Sequence, residues 1–438
     1  MTTCWICAAQ SPRVPIIAQL ATYVLTVNED PLADRLAVAC EQYAVPGAQV
    51  GLLRGADRSV LCHGTRELLE RAPVVPETPF HAGSLAKSLT ALVVAEAARR
   101  GEIDLDRPCA EQAPGLWDDT PRALMAQTTG RPNVLPELSE DTAGFVRRVG
   151  ALPRVHPPGR FSYCNAGWPV LDLLLQECSE AGFEELATRW VLGSGATFGE
   201  PDNAARGHGA SPGQPAHSVP GEYAAAATAA GTRWWATADQ LLDYARLHLN
   251  DGAGRFPSEV VRELRRPHAT VPGATIADAW GLGWALWDRG EHRAFGWAGY
   301  TGGHRAYLRC FPDQDAALVV LTNCAGPIFG PPGGSALFDT LLPTLLDQLG
   351  VPPFGALAGN AGRDLAMLAG DFGPLRLALG IADSLVLDAT AFGEPEPLEF
   401  ARLSGDTFAR VGDPPGGMTI AVDGDLLYVG PFAFPRTS

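Results

Sequence analysis

The alternation of apolar and polar positions lays out most of the chain before any chemistry is considered. "VPGAQVGLLRG" (45–55) alternates as a strand does, and "SVLCHG" (59–64) is its hairpin partner. The period then changes: Leu85, Leu89, Leu92, Val93 and Ala97 fall at helical spacing, and Gly101 ends the run. A helix-rich middle follows, broken by loops such as "RPNVLPEL" and "RVHPPGRFSYCN". "AGWPVLDLLLQECSEAG" (166–182) and "TADQLLDYARLHLNDG" (237–252) predict two more helices. Between them, 200–222 is rich in Gly, Pro, Ala and Ser and predicts a long surface loop.

From residue 281 the texture becomes short strands: "GLGWALW", "HRAFGW", "GHRAYLRCF" and "DAALVVLTN", separated by turn residues. The helix "GSALFDTLLPTLLDQLG" closes this portion at Gly350. "LRLAL", "SLVLD", "MTIAV" and "DLLYVGPF" then give the tail an all-β character. The expected organisation is an extension (1–30), a principal domain (31–350), a linker (351–362) and a small β-domain (363–438). No internal repeat is visible.

Composition narrows the function classes. A chain of 438 residues with 46% hydrophobic and 19% charged residues is globular rather than disordered. A formal charge of -16 argues against nucleic-acid and anionic-membrane partners, which attract basic surfaces. No run of 18 apolar residues appears, so no membrane span is expected. The first 30 residues hold Arg13 as their only basic residue and are broken by Pro12 and Pro15, which is not the form of a signal peptide. Nine cysteines at irregular spacing do not form a secreted disulfide framework, and a cytoplasmic location is expected. Cys4-Trp5-Ile6-Cys7 is a lone C-x-x-C, read as part of an unstructured leader. The nine histidines contain no H-E-x-x-H, and neither a metal nor a cofactor is expected.

Candidate chemistry begins at "HAGSLAKSLTALVVAEAARRG" (81–101). Ser84 and Lys87 are three apart, so on a helix they share a face with Cβ atoms about 5–6 Å apart. A serine hydroxyl is a poor nucleophile until a base takes its proton. Of the 33 Lys and Arg residues, only Lys87 is lysine. Arginine stays protonated in proteins, whereas a buried lysine can shift its pKa far enough to act as a base. The alternative is a serine N-cap with an exposed lysine, and the lysine count favours the catalytic reading. Gly209-Ala210-Ser211-Pro212-Gly213 also satisfies G-x-S-x-G, but it lies in a Gly/Pro loop without the strand and helix that a nucleophile elbow needs.

The segment "TPFHAGSLAKSLTALVVAEAARRGEIDLDRPC" resembles the nucleophile region of the class C β-lactamase and penicillin-binding-protein-like serine hydrolases, the S12 peptidase group. That family carries S-x-x-K, Y-x-N and a K-T-G or H-x-G triplet in order. Tyr163-Cys164-Asn165 matches the second motif. "LMAQTTGRPNV", "AGTRWWATADQLLDYARLHL", "GLGWAL" and "DAALVVLTN" fit as well, so the resemblance spans roughly residues 32–350. It implies an α/β (α+β) fold of the β-lactamase/transpeptidase type, an antiparallel sheet flanked by helices plus an all-helical subdomain. The β-tail is expected to form a separate, barrel-like and lipocalin-like domain, as in relatives that release or cyclise nonribosomal peptides. The resemblance further implies that Tyr163 is a phenolate or general base exchanging a proton with Ser84. Asn165 would hydrogen-bond Lys87 and substrate, and the oxyanion hole would be the backbone N–H groups of Ser84 and Tyr300.

The third motif departs from the family, with Trp297-Ala298-Gly299 where K-T-G would stand. Tryptophan offers an indole N–H and an apolar face, not a cation for a substrate carboxylate. That turns the expectation from penicillinase or D,D-peptidase toward the esterase and acyltransferase branch. Arg305 and His304 are the candidates to replace the lost cation. The expected function is acyl transfer from an ester, thioester or amide of a small molecule or natural product, to water or to an amine or alcohol. Ser84, Lys87 and Tyr163 would be catalytic, with Asn165, Trp297, Gly299, Tyr300 and Arg305 around the substrate. The alternatives are β-lactamase or D,D-peptidase activity, or a non-catalytic binding protein on the same fold. Oligomeric state is not legible.

Overall fold

In a computed structural model of the protein, the run 315–323 lies in the interior of the main sheet, where both faces are covered. The model describes residues 31–195, 197–211, 214–219, 228, 230–289, 292–326, 333–355, 357, 361–381, 383–392, 394, 396–413 and 417–437. The sheet has eight strands, each antiparallel to its neighbours. Their order is β2 (Asp57–Gly64), β1 (Gly47–Arg54), β12 (Ala316–Thr322), β11 (Arg305–Phe311), β10 (His292–Tyr300), β9 (Ala285–Arg289), β8 (Ala279–Trp280) and β7 (Ala269–Thr270). Two short ladders pair β3 (Phe80–His81) with β6 (Trp235–Ala236), and β4 (His208–Gly209) with β5 (His217–Ser218).

Side chains alternate across a strand, so β12 serves two cores at once. Ala317, Val319 and Leu321 face α2 (Ala86–Arg99) and α8 (Ala238–Leu249), while Ala316, Leu318 and Val320 face α1 (Pro31–Gln42) and α10 (Gly334–Gln348). Helix α8 starts where Thr237 and Gln240 satisfy each other's backbone N–H groups in a capping box. Helix α2 is buried all round from Ala86 to Ala97, because helices cover it as well as the sheet. The helical side comprises α3 (Cys109–Gln112), α4 (Pro121–Met125), α5 (Thr142–Gly150), α6 (Gly167–Cys178) and α7 (Phe183–Ala187), with α9 (Ser258–Leu264) also against α2.

The tail from α11 (Leu365–Leu368) onward is an eight-stranded antiparallel meander. Its strands are β13 (Gly370–Phe372), β14 (Leu375–Leu379), β15 (Ser384–Asp388), β16 (Leu398–Ser404), β17 (Thr407–Arg410), β18 (Thr419–Asp423), β19 (Leu426–Val429) and β20 (Phe432–Pro435). A bridge between Phe372 and Arg436 brings the last strand back to the first, making a near-closed barrel. The run "DLLYVGPF" is therefore two strands, turned at Gly430, whose φ of 55° suits glycine. Fourteen apolar side chains fill the barrel, among them Phe372, Phe400, Phe408 and Leu427.

The barrel is docked rather than detached. Strands β14 and β16 alternate buried and exposed residues, as a solvated wall does, but β19 is buried throughout. Leu427 and Val429 point into the barrel, whereas Leu426 and Tyr428 join Phe161, Tyr163 and Trp280 in the core beneath the main sheet. Tyr428 donates to the Phe161 carbonyl (2.9 Å), Thr275 donates to that of Gly430 (2.7 Å), and Arg160 pairs with Asp423 and Asp425. Val351 and Phe354, in the stretch expected to be a linker, also pack into this core. Cys4, Cys7 and the rest of 1–30 lie outside the described residues. Among those described, no helix is long and apolar enough to cross a membrane.

Candidate active site

The segment that carries Ser84 leaves β3, passes through a 3-10 turn (Gly83–Leu85) and continues as α2. Ser84 is not an N-cap, since no side chain caps either the turn or the helix. It stands in the turn, one helical turn before Lys87, whose Nζ is 3.0 Å from Ser84 Oγ. Lys87 is 1% exposed, and its Nζ also donates to the Gly231 carbonyl at 2.7 Å. Burial without a facing carboxylate disfavours the ammonium and lowers the Lys87 pKa to about 7, with Cys164 pulling weakly the other way. At neutral pH the amine is thus partly free to accept a proton.

Tyr163 comes from the loop before α6 and is 4% exposed. Burial raises its pKa, and hydrogen bonds with Ser84 and Trp297 offset only part of that rise. Its backbone N–H donates to the Pro431 carbonyl of the barrel (3.1 Å), and its ring meets Phe432 edge-on at 5.9 Å. Trp297 Nε1 reaches the phenol oxygen at 3.4 Å, and the indole packs edge-on against Trp280 at 4.6 Å. The third motif thus delivers an aromatic wall with one N–H.

Asn165 does not bond Lys87, contrary to expectation. Its Nδ2 and its backbone N–H both donate to Asn133 Oδ1 (3.1 and 2.9 Å), and the place beside Lys87 is taken by the Gly231 carbonyl. Gln127 holds the same loop by accepting the Cys164 N–H at 2.7 Å. None of Gly231, Asn133 and Gln127 was singled out from the sequence, since a carbonyl or a lone amide carries no motif.

The backbone segments that carry the two expected oxyanion donors, Ser84 and Tyr300, are in direct contact. Gly83 has φ 55°, and a Cβ there would sit 3.0 Å from the Tyr300 nitrogen; a Cβ on Gly299 would lie 1.9 Å from the Ala82 carbonyl oxygen. Only glycine at both positions lets β10 approach the Ser84 turn this closely. The candidate replacement cations are directed elsewhere. Arg305 is buried, donates to Ser335 Oγ (2.8 Å) on α10 and lies 3.4 Å over the Tyr300 ring. His304 bonds the Ala205 carbonyl (3.0 Å), and burial pushes its pKa down to about 4, so it is neutral.

Ser211 of the G-x-S-x-G match is exposed just after β4, and Pro212 and Gly213 lie outside the described residues. Among the described residues no group of three or more His, Cys, Asp or Glu could hold a metal ion. A groove of about 1120 Å³ between the barrel and the β7–β9 edge lies apart from Ser84. Most of its charges are already paired, Arg160 with Asp423, Arg289 with Asp278 and Asp406 with Arg363.

Comparison with known proteins gives the same direction. The family model described as Beta-lactamase matches residues 28–336. "Penicillin-binding protein 4" of Amycolatopsis lactamdurans is 27% identical over 369 residues, 76% of this chain and 94% of that one. Among solved structures, SurE superposes with a TM-score of 0.75 at 24% identity, covering 93% of this chain and 98% of its own. The D-amino acid amidase of Ochrobactrum anthropi SV3 superposes at 0.63 with 16% identity, covering 74% and 98%.

Proposed function

The chain belongs to the beta-lactamase family, and on that premise we propose that it is an acyl-enzyme hydrolase or acyltransferase with Ser84 as nucleophile. The observation that carries this reading is the 3.0 Å approach of a fully buried lysine amine to the Ser84 hydroxyl. In the proposed cycle, neutral Lys87 takes the Ser84 proton as Oγ bonds to the substrate carbonyl carbon. The oxyanion is held by the N–H groups of Ser84 and Tyr300, donors that act on charge present only in the transition state. Tyr163, kept protonated by its burial, is better suited to give a proton to the leaving amine, alcohol or thiol than to act first as the phenolate or general base expected from the sequence. The leaving group departs, and water or an acceptor amine or alcohol repeats the steps in reverse.

Substrates carrying a carboxylate beside the scissile bond are disfavoured in this reading, because the wall at Trp297, Tyr163 and Phe432 is aromatic and Arg305 and His304 are occupied. This favours an acyl group without a carboxylate, from a small molecule or natural product, over penicillins and terminal D-alanine.

The test is intact-mass spectrometry after exposure to a fluorophosphonate and, in separate samples, to methyl esters, thioesters and amides of amino acids of both hands. A single adduct on Ser84 is expected, and it should be absent in Lys87→Arg, which keeps charge but cannot titrate. Retained acylation in Lys87→Arg would overturn the role given to the amine. Rapid turnover of a chromogenic cephalosporin would overturn the reading of Trp297. Amide product above the hydrolysis background, with an amine present, would select transfer over hydrolysis.

A further inference from the structure

We propose that His81 is the positioning residue of the oxyanion hole, its Nδ1 holding the nucleophile turn in the conformation that aims the Ser84 N–H at the substrate oxygen. The inference rests on the acyl-enzyme reading of Ser84. His81 ends β3, and its Nδ1 accepts the N–H of Gly83 at 3.0 Å. The contact joins a side chain to the backbone two residues on, as an Asx-turn does with an aspartate or asparagine oxygen. It fixes the peptide plane immediately before the one that carries the Ser84 N–H. Gly83 itself is in the left-handed region, φ 55°, a conformation with many competitors for glycine in a free loop.

The ring is well anchored for this task. His81 pairs with Trp235 across the β3–β6 ladder, and the Ala82 N–H donates to the Trp234 carbonyl at 2.7 Å. The Trp235 indole meets the His81 ring edge-on at 4.8 Å, and the His304 ring lies 5.9 Å away on another side. His304 closes the turn after Tyr300, since its carbonyl accepts the Thr301 N–H at 3.1 Å. Two adjacent buried histidines therefore tie both halves of the oxyanion hole, His81 through its ring nitrogen at Gly83 and His304 through its backbone carbonyl in the turn that follows Tyr300. Nδ1 must remain an acceptor for this to hold. Burial, with His304 and Arg233 as the titratable and charged neighbours, keeps the His81 pKa well below the ordinary range.

Substitution separates positioning from mere packing, because asparagine places Oδ1 where Nδ1 stands, whereas glutamine and leucine do not offer an acceptor there. The experiment compares His81→Asn, His81→Gln and His81→Leu with wild type in the full chain. p-Nitrophenyl butyrate serves for turnover and an alkyl boronic acid for transition-state affinity, with melting temperature recorded alongside. His81→Leu and His81→Gln are expected to lose about 10- to 100-fold in kcat, less than or equal to the loss of a whole oxyanion donor, with KM little changed. Boronate affinity should fall by the same factor as kcat, and His81→Asn should recover most of both. If His81→Leu does not fold, the contrast between Asn and Gln decides alone. Equal kcat and boronate affinity in Asn and Gln, at either the wild-type or the impaired level, would overturn the inference. A wild type that neither turns over the ester nor is labelled by a fluorophosphonate would instead remove the acyl-enzyme reading, and this inference with it.

Discussion

Lys87 shows how far a single residue could be read before its surroundings were known. Its uniqueness among the basic residues pointed to a group that must titrate, and it is buried with a pKa lowered to about 7. The cause was not legible: the burial comes from α2 being enclosed all round, and the Gly231 carbonyl is 144 residues away in sequence. His81 was equally silent, since a histidine before a glycine carries no motif. The lowered pKa makes a prediction with a definite sign. Between the folded value of about 7 and the ordinary lysine value of 10.5 the native state binds fewer protons than the unfolded one, so wild-type stability rises with pH across that window. Below it the native state holds a buried ammonium. Lys87→Met should therefore melt higher than wild type at pH 6–7, by up to about 5 kcal/mol, with the advantage shrinking toward pH 10. Ser84 acylation in the wild type should climb with pH and level off above about 7. A stability difference that does not change with pH would sink the account.

At the scale of elements, periodicity performed well where an element buries one kind of surface and less well at the site. Helices α6, α8 and α10 and strands β11 and β12 fall within the expected runs, because their apolar stripes answer to large cores, while β10 runs on past Trp297 to Tyr300. The segment at Ser84 was read as a helix from its first residue, whereas it enters through a 3-10 turn with Gly83 at φ 55°. A conformation imposed by β10 pressing on the backbone leaves no mark on the apolar spacing. The same holds for the β19–β20 turn, whose Pro431 and Phe432 reach Tyr163. Phe432→Ala is expected to cost about 1–2 kcal/mol in thermal unfolding, somewhat more than one aromatic pair contributes. It should also slow fluorophosphonate labelling of Ser84, because the Tyr163 ring loses one of its neighbours. Unchanged labelling would mean that Trp280 and Trp297 hold the tyrosine without help.

For the molecule as a whole, strand counting in the tail gave a β-domain but no indication of where it sits. The clue lay in a contrast between strands: "LLYV" is apolar at every position, while "LRLAL" and "LEFARLS" alternate. A barrel wall that is apolar on both sides must be covered on its outside, and here Phe161, Tyr163 and Trp280 cover it. The filled interior leaves the outer wall as the surface that faces chemistry. A chain ending at Gly362 should accordingly aggregate on expression, or remain soluble but unlabelled at Ser84, as sedimentation and intact mass would show. A soluble truncated chain labelled at the full-length rate would contradict the dependence of Tyr163 on the barrel.

The solitary lysine also makes the molecule report on its own opening. An endoprotease that cuts only after lysine has one target bond, between Lys87 and Ser88, and it lies in a helix that folding closes off. Every cleavage event therefore divides the chain into 1–87 and 88–438 and counts an excursion in which helix α2 has come undone. The rate of that single cut, followed with and without an acyl group on Ser84, measures how strongly a bound intermediate holds its own catalytic helix shut.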